Sequence, residues 1–360
     1  MPKLARVLIM AGGTGGHIFP GLAIAKKLRE EDVEVSWLGT EQGPEARWVP
    51  EAGIPIHFIS ISGFRGKGLI DQLLAPWRIL IALFQSLRII RQLKPDVVIG
   101  LGGYVSGPGA IASWILGIKL AIHEQNAKPG STNQWLAHLA NRVFEGFPNA
   151  FTKRRNVYTV GNPVRAEILD LPAPNLRLNR PEQAKQLLVL GGSLGAQAIN
   201  LLLPKALAKL PEALRPSVWH QTGEKHLADT RKAYENAGVT AEIVPFIVEM
   251  DKAYAWADMV LCRAGASTIA ELCAVGLGAI LVPFPYAIDD HQTANANFMA
   301  TGHAAIVMQQ AALTDDNLVE VLKKLMGPGG QCMAMAQAAY ALRQADATDK
   351  IIAMCKEMYH

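Results

Sequence analysis

The sequence predicts an α/β chain built from two doubly wound parallel-sheet domains. Three observations carry that prediction. The length, 360 residues, corresponds to about two domains at roughly 150 residues each. Short apolar runs alternate with segments of helical period. A strand, glycine loop and helix occur in that order twice.

The first unit opens with the apolar run Val7 to Ala11, passes through glycines, and continues as Pro20 to Leu28 at helical period with proline early in the helix. The second copy is Leu187 to Ala196, running into Gln197 to Leu203. Another pair supports the first. Pro95 to Gly100 leads through a glycine-rich stretch and a helix into Leu120 to His123, and Ala257 to Cys262 leads through Arg263 to Thr268 into Ala279 to Pro283. Each half is therefore a βαβ array of the Rossmann-like kind, whose ligands sit outside the carboxyl ends of the strands, and two facing halves form a cleft. The boundary is expected at Val160 to Arg165, before the breaker-rich stretch Leu171 to Pro181. This gives domains over 1–162 and 165–342. A terminal helix within 343–360, about Asp346 to Met358, is expected to pack back onto the first domain, although length alone allows either.

Composition excludes several classes. A hydrophobic fraction of 50% fills two cores, and 32 glycines with 21 prolines fall well below a low-complexity chain, so the glycines are local devices. The net charge of +4 is too small for a nucleic-acid binder to be read from net charge alone, which leaves a local basic patch open. Cys262, Cys273, Cys332 and Cys355 show neither a C-x-x-C pair nor finger spacing, which argues against structural zinc and a disulfide framework and for a reducing compartment. Val7 to Ala11 is shorter than a signal-peptide core of ~7–15 residues. Residues 97–118 are uncharged, but six glycines, Pro108 and two serines make them strand, loop and helix and not a membrane span.

The glycine loops expose backbone N–H groups at helix N-termini, where phosphate is the expected guest. Neither Gly12-Gly-Thr-Gly-Gly-His17 nor Gly191-Gly-Ser-Leu-Gly-Ala196 fits G-x-G-x-x-G, and no P-loop motif is present, so dinucleotide and P-loop readings weaken. Tight strand-to-helix packing without a ligand explains one such loop as well as function does; two matched loops favour function. His17, at the end of the first loop, is a candidate base or a residue that hydrogen-bonds its own loop. Glu124, in His123-Glu-Gln-Asn126, is a rival base. Glu271, in Arg263-Ala-Gly-Ala-Ser-Thr-Ile-Ala-Glu271, can accept both hydroxyls of a ribose or be an ordinary surface glutamate. Asp289 and Asp290 lack a D-x-D context, and solvated loop carboxylates explain them better than a metal site.

These blocks, with Gly102-Gly-Tyr-Val-Ser-Gly-Pro-Gly109, Gly161-Asn-Pro-Val-Arg165 and His291-Gln292, run in one order from about residue 5 to about 345. Taken together they closely resemble the family of bacterial glycosyltransferases that add N-acetylglucosamine to lipid I to make lipid II, the undecaprenyldiphospho-muramoylpentapeptide β-N-acetylglucosaminyltransferases. The resemblance implies a GT-B fold, a C-terminal domain for UDP-N-acetylglucosamine, an N-terminal domain for the lipid acceptor, and inversion at the anomeric centre with neither metal nor cofactor. It assigns Glu271 to the ribose, Phe246 and Ile247 to the uracil pocket, Ser193 and Arg165 to the diphosphate, and Gln292 with His291 to the sugar. Arg263, Ala266, Ser267 and Thr268 would line the nucleotide pocket, and Thr14, Gly15, Gly16 and Asn126 would also approach the donor. Gly13, Tyr104, Ser106 and again Asn126 would lie on the acceptor side with His17. The position of His291 varies between Gln and His in such sequences, which loosens its assignment.

The chemistry agrees with that assignment. Negative charge developing on a departing UDP is stabilised by a helix N-terminus and an arginine, so a metal is not demanded. Residues 63–94 carry six basic side chains, Arg65, Lys67, Arg78, Arg88, Arg91 and Lys94, against Asp71. Leu73, Trp77, Leu80, Phe84 and Leu87 form one helical stripe, and Ile79, Leu83 and Ile90 form another. One stripe, with Trp114 nearby, is read as facing an anionic membrane surface; a helix buried between the sheet and a neighbour is the competing reading. The resemblance adds the cytoplasmic face of the bacterial inner membrane, a cell-wall synthesis complex as partner, and no nucleic acid. A UDP-sugar epimerase and a non-catalytic nucleotide-sugar binding protein of the same architecture remain alternatives.

Overall fold

The computed structural model describes residues 4–61, 74–151, 155–178, 185–192, 195–327 and 329–359. The chain divides into two compact units, Met1–Arg165 with Ala345–His360, and Ala166–Gln344.

In the first unit β1 (Arg6–Ala11), α1 (Gly15–Glu30), β2 (Glu34–Gly39), α2 (Glu45–Glu51), β3 (Ile56–Phe58), α3 (Ala75–Leu93), β4 (Val97–Gly102), α4 (Ser106–Ile115), β5 (Lys119–Glu124), α5 (Ser131–Leu136), β6 (Arg142–Glu145) and β7 (Val157–Thr159) follow one another. All pairings are parallel, in the order β3-β2-β1-β4-β5-β6-β7. The second unit holds α6 (Ala166–Leu169), α7 (Pro174–Arg177), β8 (Gln186–Leu190), α8 (Gln197–Lys209), β9 (Ser217–Gln221), α9 (Leu227–Ala237), β10 (Glu242–Val244), α10 (Met250–Trp256), β11 (Met259–Cys262), α11 (Ala266–Val275), β12 (Gly278–Leu281), α12 (His291–Thr301), β13 (Ala305–Val307), α13 (Asp315–Met326) and α14 (Cys332–Ala341). Its sheet is also wholly parallel, β10-β9-β8-β11-β12-β13. Central strands covered on both faces read as continuous apolar runs, and β4 and β11 are buried at every position.

The two sheets share a strand plan, and in each the order reverses beside the first strand, between β1 and β4 and between β8 and β11. The repeat extends to a carboxylate. Asp96, just before β4, accepts from Ala5 N and Arg6 N, both at 2.8 Å; Asp258, just before β11, accepts from Gln186 N at 2.8 Å. In both sheets one aspartate ties the entry of the first strand to the entry of its neighbour.

The last helix, α15 (Ala347–Tyr359), buries Ile351, Ile352, Cys355 and Met358 in the same core as Val7, Ile9 and Val97. Ion pairs Lys27–Asp349 and Arg142–Glu357 rim it. Exposed pairs of this sort contribute ~0–1 kcal/mol, against ~1.5–3 kcal/mol for each large apolar side chain buried, so the apolar face holds the helix.

Arg177 organises the second unit. Its buried guanidinium donates from Nη1 to Tyr254 O (3.0 Å) and Ala257 O (3.1 Å), and from Nη2 to Val275 O (2.9 Å) and Gly276 O (3.0 Å). These carbonyls end α10 and α11, where the helix dipole concentrates negative charge, so one cation satisfies both ends at once.

All four cysteines are buried free thiols, and burial pushes Cys262, Cys273 and Cys355 up to about 12 and Cys332 to about 11. Among the described residues no helix is long and apolar enough to cross a membrane.

Two buried histidines make stability depend on pH. Burial lowers His220 to about 3 and His123 to about 4. The unfolded chain takes up these protons near pH 6.5, so the unfolded state binds more protons from there down to the folded values, and stability falls as pH falls through that window. Each histidine contributes a slope of up to about 1.4 kcal/mol per pH unit. Urea unfolding at steps from pH 7 to pH 5 should show this loss, and His220→Gln should give a shallower dependence; a slope identical to wild type refutes the His220 contribution.

Candidate active site

Parallel strands deliver every carboxyl end to one edge of a sheet, and the glycine loops lie on that edge. In the first unit β1 ends in Gly12 to Thr14 and β4 ends in Gly102 to Val105. Their register shifts at the last step, with Met10 opposite Gly100 and Ala11 opposite Gly102. The loops then come so close that a Cβ on Gly103, whose φ is +82, would collide with Gly12 O. Only glycine fits there.

His17 stands in the first turn of α1, half-buried, with Nδ1 3.2 Å from Gly12 O and its ring against Gly102. A carbonyl only accepts, so Nδ1 carries the hydrogen and the basic lone pair resides on Nε2. Glu124 is buried, and its carboxylate takes Asn126 N (2.9 Å) and Asn126 Nδ2 (3.0 Å) on Oε1, and Gly130 N (3.1 Å) and Asn133 Nδ2 (2.9 Å) on Oε2. Four donors fill the roughly four lone-pair sites of a carboxylate. Glu124 thus anchors the loop that carries Asn126. Neighbouring His123 is neutral, with Nε2 2.8 Å from Gly161 O.

Thr14 precedes α1 without a side-chain cap, and Gly15 and Gly16 form its first turn. Gly13 is exposed with φ +90, and Tyr104 is half exposed in the β4–α4 loop. Arg165 clusters with the first unit, although the expected second domain begins with it; its guanidinium lies 5.5 Å over the Phe19 ring, which stacks on Trp48 at 5.0 Å. Ser106, expected on the acceptor side, turns its side chain into the fold. It is fully buried, and its hydroxyl receives Gly102 N (3.0 Å) and lies 2.9 Å from Gly102 O and 3.3 Å from Met10 O, closing the β4 end onto β1.

In the second unit α8 and α11 begin, like α1, without side-chain caps or acidic first-turn residues, whereas α13 carries a Thr314–Asn317 capping box. Uncapped N-termini at strand ends are the geometry that receives anions. Ser193 lies outside the described residues, but its flanks are fixed. Gly195 packs so tightly on Thr222 O that a Cβ has no room, and Asn200 Nδ2 donates to the same carbonyl at 3.0 Å. Asn200 Oδ1 is held by His220 Nε2 (3.0 Å), whose Nδ1 faces Tyr234 OH (3.0 Å). Burial keeps His220 neutral and pushes the Tyr234 phenol up, so this chain carries no charge.

Phe246 is about half exposed, while Ile247 is buried with its N–H given to Gln221 Oε1 at 3.0 Å. Ala266, Ser267, Thr268 and Glu271 occupy the first two turns of α11. Ala266 is buried; Ser267, Thr268 and Glu271 are half-buried, and Glu271 Oε2 receives Tyr254 OH at 2.8 Å. Arg263 is turned toward its own scaffold: Nη1 donates to Val282 O (3.1 Å) and Pro283 O (3.2 Å), Nη2 to Gln310 Oε1 (2.6 Å), and the guanidinium lies 5.5 Å over Phe284. Gln292 Oε1 receives Phe284 N (2.9 Å) and Ala264 N (3.2 Å), which ties its side-chain carbonyl to the ends of β11 and β12. His291 opens α12 after Asp289 and Asp290, both in left-handed backbone at φ +54 and +53. Two strained residues in succession mark a loop that the fold holds in place. Among the described residues no group of three His, Cys, Asp or Glu side chains could hold a metal ion.

Sequence reasoning missed Glu45. This fully buried carboxylate receives Gly13 N (3.1 Å) on Oε2 and Thr40 N (3.0 Å) and Thr40 Oγ1 (2.7 Å) on Oε1, with Gly12 packed against it. It clamps the first glycine loop from the side, and nothing in Glu41-Gln-Gly-Pro-Glu45 announces that. Tyr254, Gln221 and Asn200 were missed for the same reason: their partners lie 17 to 26 residues away.

On α3 the structure separates the two stripes differently. Trp77, Leu80, Ile81 and Phe84 are exposed, as are Trp114 and Ile115 on the adjoining α4. Ala82, Ser86 and Ile90 are buried, and Leu83 and Leu87 pack against that core. Leu83, expected in the membrane patch, and Leu87, expected in the first stripe, are half-buried there. The helix places these residues on the face set by its neighbours, which the wheel alone does not fix. Leu73, Arg65, Lys67 and Asp71 lie outside the described residues.

Two wholly parallel-sheet units with uncapped helix N-termini at their strand ends are the architecture of the GT-B fold. The glycosyltransferase family 28 N-terminal domain matches residues 7–145, and the family 28 C-terminal domain matches residues 186–351. The chain is 51% identical over 353 residues, 98% of each sequence, to the UDP-N-acetylglucosamine–N-acetylmuramyl-(pentapeptide) pyrophosphoryl-undecaprenol N-acetylglucosamine transferase of Nitrosococcus oceani. A crystal structure of MurG from Acinetobacter baumannii superposes with a TM-score of 0.84 at 42% identity, covering 98% of this chain and 100% of that one. A solved UDP-N-acetylglucosamine 2-epimerase reaches a TM-score of 0.66 at 14% identity over 97% of this chain and 95% of that one, a likeness of fold. The chain belongs to the family of these N-acetylglucosamine transferases.

Glu45→Ala should leave the Gly13 and Thr40 amides without their acceptor, at a cost of about 1–3 kcal/mol. Hydrogen exchange at Gly13 and Thr40 should quicken and the urea midpoint should drop. Unchanged protection at both amides contradicts the clamp.

Proposed function

We propose that this enzyme transfers N-acetylglucosamine from UDP-N-acetylglucosamine to the C4 hydroxyl of the muramyl sugar in undecaprenyl-pyrophosphoryl-N-acetylmuramyl-pentapeptide, with inversion. The observation that carries this reading is identity of about half, over nearly the whole length, to a transferase named for that donor and acceptor. The second unit takes the donor. Glu271 accepts the ribose hydroxyls, Phe246 and Ile247 border the base, the N-terminus of α8 receives the diphosphate, and Gln292 and His291 address the sugar.

The first unit takes the acceptor. The C4 oxygen attacks the anomeric carbon from the face opposite UDP, its proton passes to His17 Nε2, and the bond to the UDP oxygen breaks, so one displacement inverts the centre. His17 is preferred to Glu124 as base because the Glu124 carboxylate is already filled by four loop donors. Negative charge gathering on UDP meets helix N-terminal N–H groups that are already oriented, which lowers the barrier without reorganisation and without a metal.

The acceptor's lipid places the enzyme at the cytoplasmic face of the bacterial inner membrane, alongside other cell-wall synthesis proteins. Trp77, Leu80 and Phe84 with Trp114 form the apolar contact, and exposed Arg88, Arg91 and Lys94 follow on the same helix and the residue that ends it. Each basic side chain near an anionic surface contributes about 1 kcal/mol.

Incubation with labelled UDP-N-acetylglucosamine and a lipid I analogue in the presence of EDTA tests the reading by product mass. The acceptor should gain one N-acetylhexosamine; a changed sugar nucleotide with unmodified acceptor means an epimerase, and intact donor means a binding protein. His17→Ala should retain UDP affinity while turnover falls about 10²–10⁴-fold; turnover within a few-fold of wild type at saturating acceptor removes the base role. Trp77→Ser with Phe84→Ser should release the enzyme from vesicles containing anionic lipid in a sedimentation assay, while activity on a water-soluble acceptor persists. Undiminished sedimentation rules out this face.

A further inference from the structure

Tyr254 is fully buried in α10, yet its hydroxyl reaches across to α11 and donates to Glu271 Oε2 at 2.8 Å. The two helices are joined a second time. Arg177 Nη1 holds Tyr254 O, and Nη2 of the same guanidinium holds Val275 O and Gly276 O at the end of α11. One buried cation thus fixes the helix carrying the phenol relative to the helix carrying the carboxylate, and the phenol fixes the carboxylate. A buried tyrosine has few rotamers, whereas a half-buried glutamate with three side-chain torsions loses considerable freedom when a ligand immobilises it. Holding the carboxylate beforehand removes that loss from binding.

We propose that Tyr254 is a positioning residue: it holds the Glu271 carboxylate in the orientation that receives a vicinal diol, and so sets the preference of the nucleotide site for ribose over deoxyribose. The inference rests on the ribose role given to Glu271 above. Two ribose hydroxyls and one phenol hydroxyl are three donors to one carboxylate, within its capacity of about four. Tyr254 takes one oxygen from the protein side and fixes the orientation of the carboxylate that meets the ribose. Losing one nucleotide hydroxyl, as in 2′-deoxy-UDP, then wastes an acceptor that the protein has already fixed in place.

Calorimetric titration of the full-length enzyme with UDP and with 2′-deoxy-UDP tests this, with melting temperature and donor kinetics measured in parallel. Wild type should prefer UDP about 10-fold or more, and Glu271→Ala should lose that preference. Tyr254→Phe should weaken UDP about 5–10-fold and 2′-deoxy-UDP less, so the preference shrinks. Donor KM should rise while kcat at saturating donor stays within about two-fold. Tyr254→Phe added to Glu271→Ala should change nothing further, because both act through one group.

If Tyr254→Phe keeps wild-type affinity and preference while Glu271→Ala loses both, the ribose role stands and the positioning role of Tyr254 is overturned. Equal weakening of both nucleotides with a lowered melting temperature overturns it as well, since that is what a purely structural residue would do. If Glu271→Ala itself keeps the preference for UDP, the ribose reading fails and the inference built on it falls with it.

Discussion

The close approach of neighbouring backbones at the carboxyl ends of the strands, β1 against β4 in one sheet and β8 against β9 in the other, is the constraint on which both sites depend. A parallel sheet sends its carboxyl ends to one edge, and the strand order reverses beside β1 and β8. At such an edge a loop must leave the sheet, pass its neighbour and enter a helix within a few residues. Gly103 against Gly12 O, at the reversal between β1 and β4, and Gly195 against Thr222 O, where β8 runs beside β9, meet that demand by having no side chain. The same geometry aims helix N-termini outward from the strand ends, so compact packing and anion binding follow from one arrangement.

Such loops carry few apolar contacts, and buried polar groups hold them instead. Glu45 grips the first loop, Glu124 the segment from Asn126 to Asn133, and the uncharged series Tyr234, His220 and Asn200 the carbonyl beside Gly195. A satisfied buried carboxylate or imidazole is costly to disturb, because its partners have no water to turn to. In the proposed function, N–H groups held in this way are already oriented when charge develops on the leaving group.

The α3 surface follows a different rule. Ala82, Ser86 and Ile90 bring the helix close to the sheet, and Trp77, Leu80 and Phe84 remain outside. Leaving aromatic and aliphatic side chains in water gains nothing for folding, and an exposed apolar patch is what a surface-binding helix presents. In the proposed function that helix is where the first unit meets the membrane that holds its acceptor.

The sequence by itself determined the doubled α/β plan, because apolar period and glycine spacing are local: β1, β4, β8 and β11 lie where the apolar runs lie, and Asp96 and Asp258 already stood in matching places. It also located His17, Glu271 and Gln292 at strand ends or helix starts, since a residue's place along an element is a matter of counting. Only the tertiary structure decided what those residues touch. Glu45 on Gly13, Tyr254 on Glu271 and Arg177 on the ends of two helices are contacts between segments 17 to 99 residues apart, and no periodicity records them. Ser106 and Leu83 turned inward, and Arg263 onto its own carbonyls, for the same reason: neighbouring strands and helices fix a side chain's direction, and a linear pattern does not contain its neighbours.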